Sequence, residues 1–323
     1  MSRLRISERG SRHSRRALLR DVRYGFACVP KRLPPKYFYD DRGGQLFDAI
    51  CDTPEYYLTR VETEILAAHA GDIIAATEAD TLVELGSGAA RKTRVLLDAL
   101  VGAVDAPVYA PIDIDERMVR LSSQRLLEDY RSLRIDAAVA DYDTGLHVVP
   151  QTGRRVIAFL GSTIGNYHQP KAVRFLRGVA ATMEPRDHVL IGFDLAKSPA
   201  VLHAAYNDAA GLTAEFNLNL LRVLNRELDA DFDLDRFEHE ARYWPVRGQV
   251  EMYLWSRTSQ VVRVGALDRS FVFKRGERIR TEISRKFGRA QIEAMFRGAG
   301  LELRHWYTDA QQRFALVVAR RRT

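Results

Sequence analysis

The run Thr81-Leu82-Val83-Glu84-Leu85-Gly86-Ser87-Gly88, continuing into Ala89-Ala90-Arg91, reads as a buried strand that enters a glycine turn. From Arg91 to Leu100 the spacing is helical, with Leu96, Leu97 and Leu100 on one face. A strand-turn-helix unit of this kind brings backbone N–H groups to the carboxyl end of a parallel sheet, where small polar ligands bind. A dinucleotide fingerprint asks for a third glycine three positions after the second, so that the helix can approach its strand. Arg91 stands there instead. Glu84 points the same way, since a carboxylate just before the turn is awkward beside a pyrophosphate and suits a cationic ligand. Alone, a Gly-x-Gly turn is as readily structural.

Strand and helix alternate downstream. Residues 108–112 form a second strand ending at Asp113, and 116–130 an amphipathic helix. Residues 135–140 form a third strand ending at Asp141. Residues 156–160 form a fourth, followed by the turn Gly161-Ser162-Thr163-Ile164-Gly165-Asn166. A helix over 172–183 leads to a fifth strand, 189–193, ending at Asp194. This alternation predicts an α/β, Rossmann-like parallel sheet with helices on both faces. Residues 197–248 read as mostly helical, and 249–273 as alternating strands with Val250, Met252 and Leu254 on one face. A helix over about 290–299 and strands over 301–306 and 314–319 then end the sheet with an antiparallel hairpin. Upstream, residues 30–57 are rich in Pro and Tyr, and a helix is expected after Thr59, because Thr59 and Glu62 have the capping-box spacing. The expected division is a core of 62–196 and 287–323, with a second α+β lobe from 1–61 and 197–286.

At 323 residues the chain exceeds a usual single core, which agrees with that division. A 46% hydrophobic and 28% charged composition is that of a globular enzyme. No apolar run reaches bilayer length, so no membrane association is expected. Cys28 and Cys51 form neither a disulfide framework nor a metal-binding spacing. A reducing, cytoplasmic setting, a monomer and no metal are the expectations. The net charge of +7 raises nucleic acid as a partner. Eight arginines (positions 3, 5, 9, 12, 15, 16, 20 and 23) fall in the first 25 residues, which read as a solvated basic terminus. With no RNA-binding signature elsewhere, no nucleic-acid partner is expected.

The three acids Glu84, Asp113 and Asp141 close successive strands, where the crevice of such a sheet opens. A single Asp after a strand is commonly a turn or cap residue; three in register indicate a nucleoside ligand. Asp113 can accept both ribose hydroxyls, and Asp141 with Tyr142 can bracket an adenine by an acceptor and a ring face. Lys92 can meet a ligand carboxylate. An acidic residue followed by Gly-x-Gly resembles the usual opening of S-adenosylmethionine-dependent methyltransferases.

The resemblance extends further. Pro34-Pro35-Lys36-Tyr37-Phe38-Tyr39-Asp40, Pro54-Glu55-Tyr56-Tyr57, Leu82 to Gly88, Phe159-Leu160-Gly161-Ser162-Thr163-Ile164-Gly165-Asn166 and Thr281-Glu282-Ile283-Ser284 resemble the histidine N-alpha-methyltransferases of ergothioneine biosynthesis. The likeness runs from about residue 20 to about residue 320. It implies a class I methyltransferase sheet with a substrate-binding lobe, and trimethylation of the α-amino group of L-histidine to hercynine. S-adenosyl-L-methionine is the implied methyl donor, held by Glu84, Gly86, Gly88, Lys92, Asp113, Asp141 and Tyr142. Histidine is implied at Tyr56, Asn166, Tyr206, Glu282, Ile283 and Ser284, with Phe47 and Met252 lining the pocket and Tyr39 as the catalytic tyrosine. Three departures stand out: Ala89-Ala90 replaces a more polar turn, Tyr142 stands where Phe is common, and the first 20 residues do not match.

The chemistry of those residues is compatible with that transfer. The Asn166 amide and Tyr206 hydroxyl donate to a carboxylate without adding charge, Glu282 accepts from a ring N–H, and Ser284 serves the other ring nitrogen. If extended, the i, i+2 pair Glu282 and Ser284 shares a strand face. Two rival functions remain on the sequence. One is the same fold acting on another aromatic amino acid such as tryptophan. The other is an RNA-binding protein or RNA methyltransferase, motivated by the arginines.

Overall fold

The computed structural model describes residues 3–8, 15–143 and 145–322. In chain order the elements begin with β1 (Leu4–Glu8), α1 (Arg15–Gly25), β2 (Lys31–Arg32), α2 (Asp41–Cys51) and α3 (Tyr57–Thr77). The alternating region holds β3 (Thr81–Leu85), α4 (Thr93–Ala103), β4 (Val108–Asp113), α5 (Glu116–Asp129), β5 (Arg134–Val139), β6 (Arg155–Phe159), α6 (Gln169–Thr182) and β7 (His188–Asp194). Then follow α7 (Pro199–Tyr206), α8 (Leu212–Leu228), β8 (Phe237–Trp244), β9 (Gln249–Ser256), β10 (Gln260–Val264), β11 (Arg269–Phe273) and β12 (Arg278–Arg285). The chain closes with α9 (Arg289–Ala299), β13 (Leu301–Thr308) and β14 (Phe314–Arg321). Two compact units result: Met1–Arg12, Leu58–Ala196 and Lys286–Thr323 form the first, His13–Tyr57 and Lys197–Arg285 the second.

The first unit is built on an eight-stranded sheet in the order β1-β5-β4-β3-β6-β7-β14-β13. Strands β1 to β7 of this sheet pair in parallel, and β14 runs antiparallel to β7. Every residue of β3 and of β6 is buried, as parallel strands covered on both faces require. The chain moves outward from β3 through β4 to β5, and in the other direction through β6 to β7. The switch of direction lies at β3 and β6, so the carboxyl ends of these strands are where a ligand crevice opens. A core of Val83, Leu85, Ile112, Ile157, Phe159 and Phe193, with residues of α6 and α9, fixes those ends.

The second unit holds the four-stranded sheet β2-β12-β9-β8 and the hairpin β10-β11. Helix α8 presents Phe216, Leu220, Val223 and Leu224 as a buried stripe at helical spacing. Asp40 caps α2 by accepting from Gly43 N–H at 2.8 Å.

The structure corrects four expectations. Leu4–Glu8 is not a solvated terminus but an edge strand of the large sheet, paired in parallel with β5 from Leu4↔Ile135 to Glu8↔Val139. The Arg3 guanidinium donates to the carbonyls of Leu127, Tyr130 and Arg131, satisfying acceptors left open at the end of α5. These residues therefore belong with the sheet rather than with the second lobe. Arg9 and Arg12 of the arginine-rich run lie outside the described residues. Residues 237–244, read as part of a helical region, form β8. Finally, α3 starts at Tyr57, so Thr59 lies inside the helix and accepts at its carbonyl from the Thr63 hydroxyl. Glu62 does not cap it. Among the described residues no helix is long and apolar enough to cross a membrane.

Candidate active site

In the first unit, β3 delivers the glycine turn to the sheet's carboxyl end. Gly86 and Gly88 adopt φ of +76° and +49°, left-handed values that a Cβ disfavours. The Gly86 N–H donates to Ile112 O at 2.8 Å, holding the turn against β4. Asp113 closes that strand. Its Oδ2 accepts from Gly88 N–H at 2.9 Å and its Oδ1 from Asp115 N–H at 3.0 Å. Burial raises the Asp113 pKa, and backbone donors from Asp115, Gly88 and Ile114 oppose that rise.

Tyr142 faces the turn. A Cβ built on Gly86 would stand 3.5 Å from the Tyr142 ring, and one on Gly88 would meet nothing within 4 Å. The ring is braced edge-on by Phe159 and Phe175, with centroids 5.5 and 6.1 Å away. Asp141 accepts at Oδ1 from the Asp143 N–H at 2.9 Å, which shapes the loop after β5. A bare glycine backbone, an acid for paired hydroxyls and an aromatic face are the groups an adenosine moiety needs, so this unit fits S-adenosylmethionine.

Two of the expected residues are engaged internally. The Glu84 carboxylate is buried and accepts from the Thr93 hydroxyl at 2.8 Å and the Tyr109 hydroxyl at 2.5 Å. It thereby ties β3 to the start of α4 and to β4. Burial pushes its pKa up to about 7, while those hydroxyls and nearby Lys92 pull it down. Lys92 is ion-paired with Glu62 of α3. Glu62 is fully buried and also accepts from the Gly161 N–H, at 2.8 and 3.0 Å to its two oxygens. Asn166 ends a short 3-10 turn, Thr163–Asn166, that follows β6. That turn is entered through Ser162 at φ +55°, whose Oγ accepts from Asp194 N–H at 2.9 Å.

In the second unit, the expected substrate residues cluster. Phe47 meets Tyr39 and Tyr56 edge-on, with centroids 5.7 and 6.1 Å away, and Tyr56 meets Tyr206 at 6.4 Å. Strand β12 carries Glu282 directly opposite Met252 of β9, just past a register shift after Arg280. The Tyr206 hydroxyl donates to Ser284 Oγ at 2.8 Å. Glu282 and Ser284 share one face of the strand, as the i, i+2 spacing predicts. Ile283 lies on the other face by the same alternation, so its side chain does not join theirs. Burial raises the Tyr56 pKa well above that of free tyrosine, with Tyr206, Cys51, Tyr39 and the Glu282 charge adding to the rise. Aromatic rings, hydroxyl groups and one carboxylate are thus gathered in this unit.

Sequence reasoning missed two residues. Phe216 is buried beneath the cluster, 5.6 Å from Tyr39 and 5.9 Å from Phe47 by ring centroid, and within the helical stripe of α8 it looked like ordinary core. Glu62 was visible only as a local capping partner. Among the described residues, no group of three or more His, Cys, Asp or Glu side chains is arranged to hold a metal ion.

Residues 18–321 match the family described as histidine-specific methyltransferase, SAM-dependent. The chain is 48% identical to the histidine N-alpha-methyltransferase of Mycolicibacterium smegmatis over 303 residues, 94% of each chain. It is 45% identical to the histidine N-alpha-methyltransferase of Mycobacterium tuberculosis, again over 94% of each. The ergothioneine biosynthesis protein 1 of Neurospora crassa is 33% identical across 84% of this chain and 31% of its own length.

Proposed function

The chain belongs to the S-adenosylmethionine-dependent, histidine-specific methyltransferases, and on that footing we propose that it trimethylates the α-amino group of free L-histidine. The product is N-alpha-trimethylhistidine (hercynine), formed in the first step of ergothioneine biosynthesis. S-adenosylmethionine supplies a methyl group already activated by its sulfonium.

In the first unit, Asp113 holds the ribose hydroxyls, Tyr142 and Asp141 hold the adenine, Lys92 holds the amino-acid carboxylate, and the Gly86–Gly88 backbone admits the ligand closely. Asn166 offers an amide donor to the histidine carboxylate. In the second unit, Tyr56 and Tyr206 contribute hydroxyls to the amino-acid end of histidine. Glu282 accepts from one ring nitrogen, and Ser284 donates to the other. Tyr39 relays a proton from the amine before each transfer, and its face and that of Phe47 favour the growing ammonium. With the donor pre-activated, these residues act chiefly by proximity and orientation, worth up to about 7–11 kcal/mol in favourable cases.

The observation that carries the reading is the strand face shared by Glu282, opposite Met252, and Ser284, bonded to Tyr206. In this reading the partly exposed Glu282 accepts from the ring N–H, so rings that lack an N–H in the right place bind less well. Glu282→Ala therefore weakens histidine binding by about 1.5–3 kcal/mol and relaxes discrimination against tryptophan. Competition between the two amino acids on wild type and variant tests this. An unchanged selectivity ratio removes Glu282 from the recognition of histidine.

A further inference from the structure

Glu62 is a carboxylate with 0% exposure that the methyl transfer itself does not use. Such a group is retained away from water only where it is paired and fully hydrogen-bonded. Its partners are telling. Both oxygens accept from the Gly161 N–H, at 2.8 and 3.0 Å, and Oε2 also pairs with the Lys92 ammonium. Gly161 follows β6 and Lys92 follows the glycine turn after β3, so one side chain from α3 joins the loops at the two strand ends of the switch point. The fold makes room for it: a Cβ on Gly192 of β7 would stand 2.4 Å from Glu62 Oε1. A Cβ on Gly161 would lie 3.4 Å from Lys92 Nζ.

We infer that Glu62 is a positioning residue for the methyl donor: it anchors the Lys92 ammonium so that its remaining N–H groups meet the carboxylate at the donor's amino-acid end. An ammonium has three donors, and Lys92 makes no hydrogen bond to the described residues other than the one to Glu62. Two protons are thus left for the ligand. Without the anchor, a four-carbon side chain must be ordered at the moment of binding. The inference rests on the reading of Lys92 as the partner of that carboxylate, and the experiment separates the two.

Calorimetry with two ligands makes the test. S-adenosylhomocysteine carries the amino-acid carboxylate, and 5′-methylthioadenosine shares the adenosine and thioether but lacks it. Glu62→Gln is expected to weaken S-adenosylhomocysteine about tenfold and to leave methylthioadenosine unchanged. Lys92→Met gives the same selective loss, and the double variant binds no worse than Lys92→Met, because Glu62 acts through Lys92. Should Glu62→Gln fail to fold, Glu62→Asp retains the charge but shortens the reach, and the same selective loss is expected. Equal weakening of both ligands, additive losses in the double variant, or tighter S-adenosylhomocysteine binding in Glu62→Gln overturns the inference. If Lys92→Met leaves the ligand ratio unchanged, the reading of Lys92 falls and the inference with it. If Lys92→Met shifts the ratio while both Glu62 variants do not, the inference alone falls.

Discussion

The Tyr206 hydroxyl donates to Ser284 Oγ at 2.8 Å, joining the last residue of α7 to β12. In the proposed reading, Ser284 acts on histidine as a donor and Glu282 as an acceptor. On that reading the pair selects a neutral imidazole in one orientation.

Tyr206→Phe removes the hydroxyl bonded to Ser284 Oγ. A stability loss of about 1 kcal/mol is expected, with a severalfold rise in histidine KM. Combined with Ser284→Ala, the two effects should add to less than their sum, because the residues act as a pair. A double-mutant cycle on histidine affinity checks this, and strict additivity counts against the pairing.

Asp113→Ala should weaken S-adenosylhomocysteine by about 1.5–3 kcal/mol, the worth of hydrogen bonds to a charged group. The loss includes the grip on Gly88 and Asp115 as well as the proposed contact with ribose. Calorimetry on a variant with a native circular dichroism spectrum decides the matter. Unchanged affinity there takes Asp113 out of the donor site.

Glu84 gives a pH dependence with a definite sign. Its folded pKa of about 7 lies above the ordinary value of 4.5, so the folded protein holds that proton more tightly than the unfolded chain. The stability it contributes is complete below about pH 4.5 and is lost as pH rises through about 7, a change of about 3 kcal/mol. Urea titrations of wild type and Glu84→Gln across this window should show wild type declining relative to the variant. A constant difference means that Glu84 is not buried as a proton-holding group.

Much of this was readable from local pattern. The strand-terminal acids, the glycine turn and the closing hairpin followed from period-two and helical spacing, because each is a short-range signal read by one strand or one turn. What escaped depended on distant partners. Glu62 matched a capping box with Thr59, and only the tertiary fold shows it spent on Lys92 and Gly161. Leu4 and Ile6 alternate among arginines, which hid a strand whose partner lies more than a hundred residues away. In β8, the sequence Phe237-Glu238-His239-Glu240-Ala241 alternates too weakly to declare a strand; pairing with β9 imposes it.

Phe216 supplies a further test. It supports the Tyr39 and Phe47 rings from below without any expected polar contact. Phe216→Leu should cost about 1–2 kcal/mol of stability through the cavity it leaves. Histidine KM should rise while S-adenosylhomocysteine affinity stays constant. A variant with unaltered KM would show that the aromatic cluster does not depend on its floor.

Mass spectrometry of free L-histidine and of histidinamide after incubation with S-adenosylmethionine addresses the proposed reaction itself. The expected result is L-histidine carrying three methyl groups, all placed on the α-nitrogen by fragmentation, with little turnover of the amide because it lacks the carboxylate. Methyl groups on the imidazole ring, equal turnover of histidinamide, or unmodified histidine beside a methylated tryptophan control would contradict it.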